Sequence, residues 1–474
     1  MKLSHVVWTL LLVRSIAAAQ PAPDQPQPQP SPQPSPSPSP SPSPQPSPLP
    51  SPLPSPQPPQ QPAAELLPPA RPPAPPPPDI PTVRATSGRD DLGFYIRSAD
   101  GASVLRLGGY MQFDGRYFFD DDANALTNQF AFRSIRPELR GTLYQHYDFR
   151  LLPDFAGGKL VIQEAYVDLH YVDELEVRFG KYKVPFGLER LQPEVATTFV
   201  ERGLPSLLTP NRDLGVEVFG VLAHGVVSYQ LGVFDGIADN ASVDTDTSDH
   251  KDLAARVFIT PFAGGPPLVR ALGFGGAATV GYDHGSLAQS DVGTWLTQGQ
   301  NTFFQYVAGA TPTLANTALA DGRHVRATAQ ANWYAGPLGV LAEYVRSDQH
   351  VDENDHAPLL VDMDAWQVLA QYVVHGGTST FQGVVPTDPC LGAFSVAARI
   401  GELRLLDNTV FTSGLADPTK SARKAISAGA GADWLPNKSL RFMLDLEHTE
   451  FYGGAKTGSR PEETSLIGRV QTVF

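Results

Sequence analysis

A single cysteine, Cys390, stands in 474 residues, so neither an intramolecular disulfide framework nor a Cys-rich zinc or iron–sulfur centre is available. Beyond the N-terminus no run of about 18 apolar residues occurs, which excludes a transmembrane helix. The eleven histidines lack metal-ligand spacing, and no Ser/His/Asp set sits on a nucleophile turn; the sequence points to no enzyme, no cofactor and no metal site. Gly273-Phe-Gly275-Gly-Ala-Ala278 satisfies a loose dinucleotide-binding pattern but runs on into Thr279 to Tyr282, more strand rather than helix. Asp244-Thr-Asp246-Thr-Ser-Asp249 lacks the glycine and the closing glutamate of a calcium loop. Cations are outnumbered as well. Lys and Arg total 35 against 49 Asp and Glu, and the net charge of −14 argues against nucleic acid, whose phosphates are held by clustered cations.

Proline, by contrast, is abundant and unevenly spread. Lys2, the apolar stretch Val6 to Val13 and the small residues Ala17-Ala18-Ala19 make residues 1–19 a secretory signal, with an uncleaved membrane anchor as the alternative. Residues 20–88 form a low-complexity arm in which Pro alternates with Ser and Gln. Each Pro fixes φ and biases its predecessor away from helix, so the arm is predicted to be extended polyproline II. At about 3.1 Å per residue its residues 21–81 reach roughly 190 Å, either as a spacer or as a strut against a polymer such as cell wall.

From residue 89 to 474 the dominant period is two. Leu105, Leu107, Met111 and Phe113 alternate with Arg106, Tyr110, Gln112 and Asp114, and Val325 to Trp333 and Leu440 to Leu446 repeat the pattern. Ten-residue alternating segments edged by aromatics mark a transmembrane β-barrel, the one kind of sheet that lipid allows. A soluble sandwich alternates too, but connection lengths favour the barrel. Sixteen antiparallel strands are predicted, with short turns after most even strands and long loops after most odd ones; the short side faces the periplasm. Gly376 to Gly392 is the exception, a long turn on the short side. Thr302 to Val307 reads as loop. The fold class is all-β, a sixteen-stranded barrel preceded by the proline-rich arm.

Acids crowd three stretches that follow odd strands, 120–128, 235–249 and 348–355, which places them on the extracellular face as solvated loops or as divalent-cation bridges to lipopolysaccharide. Inward parity falls on Arg106, Arg116, Arg136, Arg140, Arg150, Arg178, Arg256, Arg326, Arg399, Arg441 and Arg469, opposed by a similar number of acids. That makes a wet lumen of mixed sign, in which about half of the arginines are expected to pair with acids.

Asp154 to Lys159, Ile162-Gln-Glu-Ala-Tyr-Val-Asp168, Gly180-Lys-Tyr-Lys-Val-Pro-Phe-Gly-Leu-Glu-Arg-Leu-Gln192, Phe199-Val-Glu-Arg202 and Pro210-Asn-Arg-Asp213 resemble the phosphate-selective porin O and P family. The resemblance implies a trimeric outer-membrane pore for passive diffusion of ions and small hydrophilic solutes, anions such as phosphate among them. It also implies that Gly187 to Arg212 folds into the lumen and narrows it. Carried onto this chain, the cations expected to contact a passing anion are Lys181, Lys183, Arg190, Arg202, Arg212, Arg116 and Arg140. Outside the match the arm suggests a different role, a structural barrel tethered to the wall. If the arm is only a spacer, deleting residues 21–81 leaves single-channel conductance in planar bilayers unchanged, and a changed conductance would give the arm a part in the pore.

Overall fold

The computed structural model describes residues 85–90, 93–119, 126–242, 244, 249–352 and 357–474. The predicted signal sequence and nearly all of the proline-rich arm lie outside the described residues. The first described strand starts at Thr86, three residues before the boundary that composition suggests.

In chain order the described strands are β1 (Thr86–Asp90) and β2 (Gly93–Arg97), a hairpin, then β3 (Val104–Phe119), β4 (Gln129–Leu143), β5 (Tyr147–Asp154), β6 (Val161–Val172), β7 (Leu175–Lys183) and β8 (Arg212–Leu222). Next come β9 (Val227–Phe234), β10 (Asp252–Ile259), β11 (Ala271–His284), β12 (Thr294–Leu296), β13 (Thr302–Gln305), β14 (Leu319–Ala335) and β15 (Leu338–Asp352). The chain ends with β16 (Leu359–His375), β17 (Gly377–Thr380), β18 (Gly383–Pro386), β19 (Ala393–Leu405), β20 (Ala422–Asn437), β21 (Leu440–Gly453) and β22 (Glu463–Val473). Without β1, β2, β12, β13, β17 and β18, sixteen strands pair antiparallel with their sequence neighbours, and β22 pairs with β3 from Thr464↔Phe119 to Val473↔Tyr110, closing the barrel. The strand predicted as loop near Thr302 is β13, but it pairs only with β12 inside the connection after β11, so the barrel count is untouched.

Short periplasmic turns have local causes. Tyr144 and Gln145 both take positive φ (51° and 68°), the primed hairpin geometry whose twist matches that of the flanking strands. On the outside Leu107, Met111, Leu231, Val257, Val280, Ile400 and Val470 are exposed between an upper ring that includes Phe130 and Tyr282 and a lower ring that includes Tyr171 and Tyr372. In the lower ring Trp434 stacks between Phe394 and Phe442 at 5.8 and 5.3 Å. An apolar band between aromatic girdles is the surface that hydrocarbon and headgroups require.

The long turn Gly376 to Gly392 holds the β17–β18 hairpin, which folds up into the barrel: Ser379 Oγ donates to Gln371 Oε1 at 3.1 Å and Phe381 packs at 6.4 Å from the Tyr334 ring. The lumen also differs from the uniformly wet interior that parity suggests. Trp295, Phe303 and Phe304 from 285–318 join Phe186, Leu204 and Leu208 from 184–211 and Val410 from 406–421 in a buried apolar cap. It rests on Val345, Ala365, Leu403 and Phe451 of the barrel wall. Loops after odd strands thus fold inward to bury apolar area. Part of the acidic rim follows them, since Asp239 is buried against Arg326 at 2.6 Å rather than solvated. Residues 120–125, 243, 245–248 and 353–355 of the acidic stretches lie outside the described residues.

Gly180 offers a local test. Its φ is +128°, and a Cβ there would lie 2.2 Å from the Ala165 carbonyl oxygen on β6. Neither the backbone conformation nor the neighbouring strand can yield cheaply, so Gly180→Ala is expected to destabilise the barrel by at least about 2 kcal/mol. Urea titration of the detergent-solubilised barrel, followed by its heat-dependent gel mobility, reads this out; an unchanged midpoint refutes it.

Candidate functional site: the constriction inside the barrel

Between β7 and β8 the chain leaves the wall at Lys183 and returns at Arg212. Pro185 lacks an N–H and cannot continue the ladder, so the strand ends there. Gly187 then starts the short helix α1 (Leu188–Leu191). The Glu343 carboxyl, reaching from β15 on the opposite wall, accepts from the Leu188 and Glu189 amides at 2.5 and 3.3 Å and so satisfies the two N–H groups that open the turn.

The far half of the loop is strapped to the other side of the lumen. Asp445 Oδ2 accepts from the Val200 amide at 2.6 Å, and Arg469 and Arg399 donate to the Val200 and Glu201 carbonyls at 2.8 and 2.7 Å. Arg441 donates to the Val195 carbonyl, and Phe199, fully buried, lies under the Arg399 guanidinium at 4.3 Å. Glu201 accepts from Arg116 at 2.9 Å and Arg133 at 2.8 Å. Burial pushes the Glu201 carboxyl up, but Arg133, then Arg469 and Arg116, outweigh it and bring it from 4.5 down to about 2. The insert implied by the family resemblance therefore crosses the pore as expected.

The predicted cations fall into three groups. Around the base of the loop, Arg202 pairs with Glu194 at 2.9 Å, while Arg212 lies 3.0 Å from Glu164 and 3.7 Å from Glu194. Lys183 donates to the Gln192 carbonyl at 2.6 Å and pairs with no carboxylate among the described residues. Arg190 is buried, donating to Thr209 Oγ1, the Ser206 carbonyl and Asn240 Oδ1, all neutral. Burial would raise the Glu194 carboxyl, but Arg202, Arg136, Arg212 and Lys183 hold it well below the carboxylate range. A second group serves to fasten. Lys181 is buried against Asp244, Arg116 against Asp114 and Glu201, and Arg469 against Asp114 at 2.6 Å. The third lines the wall: Arg140 lies 3.6 Å from Glu138, Arg106 pairs with Asp90, Arg136 with Asp154, Arg326 with Asp239 and Asp252, and Arg441 with Asp433. Ten of the eleven inward arginines pair with acids, well over the half expected; Arg256 is the eleventh.

Lys183, Glu194 and Arg212 open onto a cavity of about 710 Å³ that extends along β3–β8 to Arg106, Arg140 and Thr142 at the periplasmic end. Its charged lining is nearly balanced, with Arg106, Arg140, Arg150, Arg178, Lys183 and Arg212 facing Glu138, Asp148, Glu164, Asp168 and Glu194. The positive surplus is local, at Lys183. Period-two parity could not supply Arg133: a bulge between Gln112↔Ser134 and Phe113↔Phe132 inserts it out of phase.

Glu201 carries a pH test of the strap. Its folded-state pKa is depressed, so its contribution is present above the ordinary glutamate value and lost as pH falls from about 4.5 towards 2. Proteolysis of the loop in detergent should be slow at pH 5 and accelerate in that window, whereas Glu201→Gln should cleave readily already at pH 5. A variant as resistant as the parent would remove Glu201 from the strap.

The family described as phosphate-selective porin O and P matches residues 105–457, more than half of the chain. No curated protein matches. Among solved structures, the outer membrane channel DcaP of Acinetobacter baumannii superposes with a TM-score of 0.52 at 13% identity, covering 81% of this chain and 99% of that one. The trimer form of OmpT from Vibrio cholerae gives 0.51 at 12% identity over 79% of this chain and 100% of its own. An anion-selective porin from Comamonas acidovorans gives 0.50 at 13% identity over 78% and 100%. At such identities the likeness is one of fold.

Proposed function

Because the chain belongs to the phosphate-selective porin O and P family and is an outer-membrane barrel, we propose that it is a passive channel for ions and small hydrophilic solutes with a weak preference for anions. The observation that carries the preference is the base of the constriction loop, where two carboxylates, Glu164 and Glu194, stand among Lys183, Arg202 and Arg212, and Lys183 faces the cavity. Between low-dielectric walls a local surplus of fixed positive charge lowers the barrier for an approaching anion and raises it for a cation. Arg202 and Arg212 share their charge with acids, so the attraction is modest, and phosphate is one anion among several that fit. Arg190, taken up by neutral oxygens, adds positive potential from behind. The channel assembles as a homotrimer in this reading, as its structural relative OmpT does in one form. Its acidic rim meets lipopolysaccharide through divalent cations, and the proline-rich arm spans towards the wall.

One observation favours a second reading. The apolar cap of Trp295, Phe303 and Phe304 is buried within the barrel, as it would be in a structural barrel tethered through the arm. Planar bilayers separate the two. Stepwise conductance with a reversal potential on the anion side supports the pore, and silence favours the tether. Lys183→Glu is expected to move the reversal potential towards cations by several-fold in permeability ratio, with phosphate competing more weakly against chloride. An unmoved potential would place selectivity elsewhere.

A further inference from the structure

The β17–β18 hairpin divides the periplasmic side of the lumen. On one side lies the cavity of balanced charge; on the other is a second cavity of about 650 Å³, bounded by β10, β11, β14, the hairpin and the start of α1. Its lining contains two cations, Arg256 and Arg270, and no acid. Arg256 is the one inward arginine with no carboxylate partner among the described residues. Its Nε donates to Gln330 Oε1 at 3.1 Å and its Nη1 to Gln230 Oε1 at 3.2 Å, both neutral oxygens. The Gln330 amide nitrogen donates to the Phe186 carbonyl, which turns its oxygen towards the guanidinium. The guanidinium lies over the Phe258 ring at 4.9 Å. Nearby Glu343 is taken up by the α1 amides. Arg256 is thus held in place without being neutralised, which is what a site for an external anion requires.

The rest of the lining is unlike a phosphate cradle. Phe258, Tyr334 and Phe381 give the cavity flat apolar walls, and a hydroxyl is supplied by Thr378 of the hairpin. We propose that this cavity binds an organic monoanion with an apolar body, such as an aromatic carboxylate, its charge on Arg256 and its body against the aromatic side chains. Arg270, exposed in the turn before β11, gathers such anions at the mouth. The inference extends the channel reading by naming a solute class, but it stands on the geometry of a separate cavity.

Titration calorimetry on the full chain in detergent micelles, with benzoate as the probe and empty micelles as the blank, tests it without requiring conduction. Saturable binding of one benzoate per chain is expected, weakened at least tenfold in Arg256→Gln and a few-fold in Arg270→Gln. Thr378→Trp, which fills the cavity from the hairpin and leaves the arginine alone, should abolish it. Each variant is first shown to keep the heat-dependent gel mobility of a folded barrel. Absence of benzoate binding, equal affinity in Arg256→Gln and Thr378→Trp, equal binding of benzyl alcohol, or displacement by inorganic phosphate at similar concentration would each overturn the proposal. Bilayer silence together with intact benzoate binding would sink the channel reading and leave the site standing.

Discussion

A sheet in hydrocarbon cannot have an edge, because an unpaired amide there has no water to turn to. In this chain that requirement falls on the seam between the first and last barrel strands. The seam runs from Thr464↔Phe119 down to Val473↔Tyr110, and Phe474 completes it by exchanging two backbone hydrogen bonds of 3.0 Å with Gly109. Below that point β3 extends beyond the end of β22, and β2 takes over, pairing Val104 to Leu107 with Phe94 to Arg97. The hairpin ahead of the barrel thus covers the part of β3 that the C-terminus cannot reach.

Once the sheet is closed, its two faces meet opposite solvents, and each inward arginine must find a partner or water. Nearly all find a partner. Removing a guanidinium from water costs several kcal/mol, and an acid recovers that cost only when geometry and additional hydrogen bonds are good. Here the pairs also fasten the loops. Arg469, Arg399 and Asp445 hold Val200 and Glu201 across the lumen, and Arg326 holds Asp239. The charges therefore act mainly as internal fastenings, whereas Lys183, Arg190 and Arg256 are held by neutral partners.

The strand count was legible because period two, turn residues and loop lengths constrain one another; sixteen strands are expected, and sixteen close the barrel. Two kinds of feature escaped. Arg133 was hidden because one bulged residue reverses parity locally. The β17–β18 hairpin was hidden because two four-residue strands have too short a period to separate from an irregular turn, and nothing in Gly376 to Gly392 says that it points inward. The apolar cap escaped for a related reason: alternation says which face Val345 and Leu403 occupy but not that Trp295 and Phe303 descend to meet them.

These hidden elements change the meaning of the net charge of −14. With acids and arginines largely spent on each other, formal charge no longer measures the field a solute encounters. That field depends on which cations are held by amides, carbonyls and hydroxyls instead of carboxylates. A neutral clamp restrains a guanidinium or ammonium without cancelling its charge, which is left to act across a low-dielectric lumen. Gln330 and Gln230 clamp Arg256 in this way, and the Gln192 carbonyl clamps Lys183. The two clamped cations open onto different cavities, separated by the inward hairpin and the constriction loop, so one acidic chain can present two positive sites with unlike surroundings.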